Sequence, residues 1–151
     1  MYKHILVPVD GSSTSDLAVQ EAIKLAANQQ AQLRFVHVVD NARVFWYDES
    51  YIDAVSLQQT ALREAGKNIL GKAETLASQA GLTSQTALLD ANSDRIARVI
   101  VEEIKRWPAD VIVMGTHGRR GFDHLLFGSV AESMMRIAPI PILLIRGVKE
   151  H

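Results

Sequence analysis

Short continuous apolar runs alternate along this chain with longer stretches in which apolar residues recur every three to four positions. The first run, Ile5 to Val9, has no polar interruption, as expected of a strand buried on both faces. The turn cluster Asp10-Gly-Ser-Ser-Thr-Ser15 follows and leads into a helix with Leu17, Ala18, Ala22, Leu25 and Ala26 on one side. Ser13 is its predicted N-cap. Ala31 to Val39 reads as a second strand. Ile52 to Ala80 reads as a long helix with Val55, Ala61, Leu62, Ala65, Ile69, Ala73, Leu76 and Ala77 along its apolar stripe. Gly66 and Gly71 fall inside it and predict a kink or a short break. Ser84 to Leu89 is the third predicted strand. Asn92 or Ser93 is predicted to cap a helix carrying Ile96, Val99, Ile100 and Ile104, which ends near Trp107-Pro108. Asp110 to Met114 and Ile140 to Ile145 complete the strands, with a helix opening at Ser129 between them.

Strict alternation of strands and helices predicts an α/β fold: one Rossmann-like domain spanning residues 1–151, built on a five-stranded parallel sheet with helices on both faces. Ligands of such sheets bind beyond the carboxyl ends of the strands, where the strand order reverses. Two glycine-containing turns leave carboxyl ends, one after the first strand at Asp10-Gly11-Ser12 and one after the fourth at Gly115. If those strands are neighbours, the two turns face each other across one crevice.

Composition narrows the chemistry. At 151 residues, 48% hydrophobic and 22% charged, the chain has the make-up of an ordinary globular domain. A formal net charge of −1 provides no global attraction for nucleic acid or an acidic membrane surface. The absence of cysteine excludes disulfides, thiol catalysis and cysteine-ligated metal. The N-terminal residues lack the pattern of a signal peptide, and no apolar run approaches the roughly 20 residues of a membrane span. A cytoplasmic location is the resulting expectation.

The residues from Gly115 to Ser129 carry the most specific signal. An apolar run, Val111-Ile-Val-Met114, stops at Gly115; Gly118, Gly128 and Ser129 follow, and Ser129 opens a helix. Glycines at a strand end and a helix start admit close approach of a ligand to the backbone, and a helix N-terminus favours anions. Arg119 and Arg120 add positive charge between them. The pattern predicts a phosphate cradle. Each feature also has a plainer reading. Ser129-Val-Ala-Glu132 fits a capping box, leaving the serine hydroxyl proton for a phosphate oxygen. Asp10 could cap the helix that follows it, Arg119 and Arg120 could be solvated, and His117 reaches either phosphate or only water. His37 is expected to be packed and hydrogen-bonded in its strand. Phe45-Trp-Tyr47 and Tyr51 read as a flap packed on the sheet edge, or a partner-binding lid. The histidines lack metal-site spacing, and neither a Gly-x4-Gly-Lys-[Ser/Thr] loop nor a Gly-x-Gly-x2-Gly turn is present.

These residues resemble the universal stress proteins over nearly the whole chain, Lys3 to Arg146. The likeness rests on Ile5-Leu-Val-Pro-Val-Asp-Gly-Ser12, Val36-His-Val-Val39, Val111-Ile-Val-Met-Gly115 and the spacing Gly-x2-Gly-x9-Gly-Ser, filled by Gly115, Gly118, Gly128 and Ser129. That family divides into members with this ATP-binding element and members without it, and the chain is similar to the first kind. The resemblance implies an adenine nucleotide alpha hydrolase-like fold and a set of roles. Asp10 would lie near adenine and ribose, or near a phosphate-bound Mg²⁺. The Val38 backbone would receive the base, with Pro8 and Val9 beside it. Met114, Gly115, Gly118 and Arg119 would line ribose and phosphates, while Gly128, Ser129 and Val130 would hold the phosphate tail. It also implies a homodimer through the last strand, Pro141 to Arg146. Where many members carry a glycine after the third strand, this chain has Asp90-Ala-Asn-Ser-Asp94, so no contact is carried over there.

The expected function is a nucleotide-dependent regulatory or stress-response module that binds ATP, or AMP or ADP, with no or very slow hydrolysis. Two alternatives stand beside it: a slow ATPase or phosphotransferase using Asp10, Arg119 and His117, and a nucleotide-free dimer that acts through protein contacts.

Overall fold

The computed structural model describes residues 1–41, 52–92, 95–117 and 127–147. Nine elements follow in chain order: β1 His4–Pro8, α1 Ser13–Gln29, β2 Gln32–Asp40, α2 Ile52–Gln79, β3 Ser84–Ala91, α3 Ile96–Arg106, β4 Val111–Gly115, α4 Ser129–Ile137 and β5 Ile142–Ile145. The strands form one sheet in the order β3-β2-β1-β4-β5, and every neighbouring pair is parallel. The expected α/β architecture is therefore present, and β1 and β4 are neighbours as the crevice requires.

Each face of the sheet carries its own core. Strand side chains alternate between faces, so Ile5, Val7, Leu33, Phe35, Val111 and Val113 pack with α1 and α2. Leu6, Val36, Ile112 and Met114 pack with α3 and α4 on the other side. This division follows from the topology. The chain first steps outward from β1 to β2 and β3, then returns across the sheet to β4 and β5. Right-handed crossovers in opposite directions place their helices on opposite faces.

Several local expectations are corrected. Helix α2 runs without a break through Gly66 and Gly71. Gly66 is there because the helix touches the sheet: a Cβ on it would lie 2.7 Å from His37 Cδ2 and 2.7 Å from Leu88 Cδ1. The stripe of α2 includes the buried Leu70, whereas Ala61 and Leu76 stay exposed. The strand ends shift by one or two residues: β1 ends at Pro8, β3 continues to Ala91, and β5 begins at Ile142. The aromatic segment Phe45–Tyr51 lies outside the described residues.

The caps differ most. Ser12, not Ser13, caps α1: its Oγ accepts from the Ser15 N–H at 3.1 Å, and Ser13 is already helical and exposed. Gly11 decides this register, because the turn into Ser12 needs φ +82° there. The N-cap of α3 is Arg95, without a side-chain bond, rather than Asn92, and Ser93 lies outside the described residues. Helix α3 ends at Arg106 with Trp107 as its extended C-cap, as expected before Pro108. It is tied to the sheet by an ion pair between the buried Glu103 and the half-buried Arg34 at 2.7 Å, with Arg34 also over the Trp107 ring at 5.7 Å.

The cap assignment is checked by paired substitutions. Ser12→Ala should lower stability by about 1 kcal/mol in chemical denaturation, while Ser13→Ala should change it by less than about 0.5 kcal/mol. Equal losses would restore Ser13 as the cap.

Candidate functional site

Beyond the carboxyl ends of β1, β2 and β4 lies a cleft of about 460 Å³. Its position is set by the reversal of strand order between β1 and β4, which leaves no helix crossing directly over their ends. Pro8, Val9, Asp10, Val38, Met114, Gly115, His117, Gly128, Ser129 and Val130 all line it. The remaining expected site residues, Gly118 and Arg119, lie outside the described residues, as do Arg120 and His124. Residues drawn from four separate stretches of sequence thus meet in one place.

The floor on the β1 side is a tightly bonded turn. The Asp10 N–H donates to Ser15 Oγ at 3.1 Å, and Asp10 Oδ1 accepts from the Ser12 N–H at 2.9 Å. One carboxylate oxygen therefore shapes the turn, and the side chain caps nothing further along α1. The other oxygen, Oδ2, makes no hydrogen bond among the described residues. Next to this turn, His37 Nδ1 meets the Val9 carbonyl at 2.7 Å, so the expected packed and hydrogen-bonded histidine of β2 is present.

On the β4 side the backbone closes on itself. The buried Thr116 donates its N–H to the Ile145 carbonyl at 3.0 Å, and its own carbonyl accepts from the Gly128 N–H at 2.6 Å. The chain therefore leaves β4 and re-enters the fold at the same point. Thr116 Oγ1 lies 2.9 Å from His117 Nδ1, which keeps His117 beside the cleft mouth.

Helix α4 starts differently from the expected capping box. Gly128 is the N-cap and supplies no side-chain bond, and its carbonyl accepts from the Glu132 N–H at 3.0 Å. Ser129 is the first helical residue, so its hydroxyl has no cap to make. The N–H groups of the first turn, at Ser129, Val130 and Ala131, have no intrahelical acceptor and border the cleft. Their partial positive charge makes this end attractive to an anion.

Gly115 also proves to have a packing reason. A Cβ there would sit 2.7 Å from Thr14 Cγ2 and 3.2 Å from the Thr14 backbone carbon. The close neighbour that demands a glycine is the start of α1.

The cleft has apolar walls that sequence reading missed. Leu62, Ala65 and Ile69 come from α2 on one face of the sheet, and Ile96 and Ile100 from α3 on the other. Ser15, Asp40 and Thr116 add polar atoms. The helical residues were visible only as apolar stripes, and a stripe facing a cleft has the same spacing as one facing a core. Among the described residues no three His, Asp or Glu side chains gather around a metal position. No helix among the described residues is long and apolar enough to cross a membrane.

Comparison with known proteins agrees with this architecture. The model of the Universal stress protein family matches residues 1–146. A universal stress protein of Methanocaldococcus jannaschii is 33% identical over 151 residues, covering 100% of this chain and 86% of its own length. A solved structure from the universal stress protein family of Burkholderia pseudomallei superposes with a TM-score of 0.77 at 32% identity, covering 95% of this chain and 96% of its own. A universal stress protein crystallised in complex with cAMP superposes with a TM-score of 0.69 at 25% identity, covering 95% of this chain and 97% of its own.

The close approach at Gly115 yields a direct check. Gly115→Ala should destabilise the protein by about 1–3 kcal/mol, because the new methyl meets Thr14 backbone as well as its side chain. Thermal unfolding measures this, and an unchanged midpoint would remove the packing explanation.

Proposed function

The chain belongs to the universal stress protein family, and from that premise we propose that it binds an adenine nucleotide, ATP in the first instance, in the cleft between β1 and β4. The observation that carries this reading is the meeting of an apolar slot with a helix N-terminus that has no side-chain cap. Pro8, Val9, Val38 and Met114 provide surfaces for a base, and the first turn of α4 lies at the same cleft. A base is flat and apolar on its faces and a phosphate is anionic, so the two ends suit the two halves of a nucleotide. The cAMP complex of a relative supports the adenine class.

In this reading the Val38 peptide receives the base, Asp10 faces ribose or a phosphate-bound Mg²⁺, and Met114 and Gly115 border the ribose. Gly128, Ser129 and Val130 hold phosphate oxygens, with His117 at the mouth. Gly118 and Arg119 are assigned to the phosphates from the motif alone. Binding would serve regulation in the cytoplasm, the nucleotide acting as a signal whose differential affinity for two states shifts their populations.

A second reading concerns assembly: a homodimer through β5. Among the described residues that strand lies at the edge of the sheet and pairs only with β4. Leu143 on it is 42% exposed, and Met135 and Ile137 of the preceding helix are similarly open. An unpaired edge beside exposed apolar side chains favours pairing with another chain.

Denaturing the purified protein and identifying released small molecules by mass spectrometry should yield an adenine nucleotide. Calorimetric titration with ATP should show one site, lost in Gly118→Val while the circular dichroism spectrum is retained. Unchanged affinity in that variant would rule out the motif as the phosphate cradle. For the dimer, light scattering should give twice the chain mass, and Leu143→Arg should reduce it to one; a wild-type monomer would end that reading.

A further inference from the structure

Strand pairing between β1 and β2 stops at Pro8 and Val36, although the chain continues in step for another rung. The Val9 N–H still donates to the Val36 carbonyl at 2.8 Å. In a parallel ladder, alternate residues direct their N–H and C=O at the same neighbour. Val36 addresses β1, so Val38 does too, and its N–H is the natural donor for the Val9 carbonyl. That bond is absent among the described residues. The Val9 carbonyl instead meets His37 Nδ1 at 2.7 Å. A carbonyl only accepts, so the ring carries its proton on Nδ1 in this contact.

The ring is held in place from behind. A Cβ on Gly66 of α2 would come within 2.7 Å of His37 Cδ2 and 3.3 Å of Nε2. The imidazole therefore sits between the end of β1 and the backbone of α2, with no room for a side chain at residue 66. Both His37 and Val38 line the cleft.

We propose that His37 is a positioning residue of this cleft: by occupying the Val9 carbonyl it keeps Val38 from adding a further rung to the β1–β2 ladder, leaving the N–H and C=O of Val38 turned toward the cleft to read the edge of a base. A donor and an acceptor from one residue of extended backbone select a base edge that offers an acceptor beside a donor in matching order, as adenine does. Hypoxanthine presents the reverse order. The role assigned to His37 rests on the adenine-nucleotide reading above, but its effect on the ladder can be measured without any ligand.

Two measurements test it. In the ligand-free protein, the Val38 amide should exchange with solvent quickly in the wild type. It should slow roughly tenfold or more in His37→Leu, where the freed carbonyl takes up the missing rung. In calorimetric titrations the wild type should prefer ATP over ITP by about tenfold or more, and His37→Leu should bring the two within about threefold. His37→Asn, which retains an N–H donor at the same distance along the side chain, should behave like the wild type in both. Equal Val38 protection in the wild type and His37→Leu, or an unchanged ATP-to-ITP ratio, would overturn the proposal. A wild type that binds neither nucleotide would overturn the binding reading instead, and the exchange result would then judge the ladder role of His37 alone.

Discussion

Parallel pairing of β1 on both of its sides is the constraint on which the rest of this structure depends. Ile5, Leu6 and Val7 are fully buried, which is possible only with a helical layer over each face. The partners of β1, β2 and β4, are reached by crossovers that travel in opposite directions. Their helices therefore part company above the carboxyl ends of the strands, and an opening is left there. The cleft is a consequence of the sheet order before any residue in it is chosen. What the particular residues add is its lining: a short bonded turn at Asp10, and a free helix start at Ser129.

The elements were legible because their signal is the strongest that a sequence carries. A strand buried on both faces reads as an unbroken apolar run, and Ile5 to Val9 and Val111 to Met114 are such runs. The caps were less legible because hydroxyl residues compete for the position. Ser12, Ser13 and Ser15 all stand near the start of α1, and local propensity does not separate them. The choice is made by the left-handed turn at Gly11 and the hold of Asp10 on the Ser12 N–H. At α4 the capping-box pattern is present in sequence, yet the Gly128 N–H is bound to Thr116, and this fixes Gly128 rather than Ser129 as the cap. Long-range contacts of this kind leave no trace in a local pattern.

The site divides along the same line. Residues at strand ends, and Gly115, Gly128 and Ser129 of the glycine motif, were legible as cleft residues, because their spacing is unusual and strand ends are where such sheets bind ligands. Leu62, Ala65, Ile69, Ile96 and Ile100 were not, since helical periodicity identifies a face without saying what it faces. Glycine carried different meanings at different places. Gly115 reads as an invitation to a ligand but meets Thr14, and Gly66 reads as a weak point in α2 but is its point of contact with His37 and Leu88. A missing side chain signals close approach, and the sequence does not say to what.

The bond between the Gly128 N–H and the Thr116 carbonyl joins two points far apart in sequence at 2.6 Å. Thermodynamically it makes the chain between them a closed ring whose ends are fixed by the fold. The entropy of closing such a ring grows only logarithmically with its length, at about 0.6 kcal/mol for each doubling. One or two residues added to or removed from that ring would thus change the stability of the stem very little. By that measure the seat of α4 places only a weak demand on the number of residues in the ring, and loop-closure entropy alone does not dictate the nine-residue interval between Gly118 and Gly128.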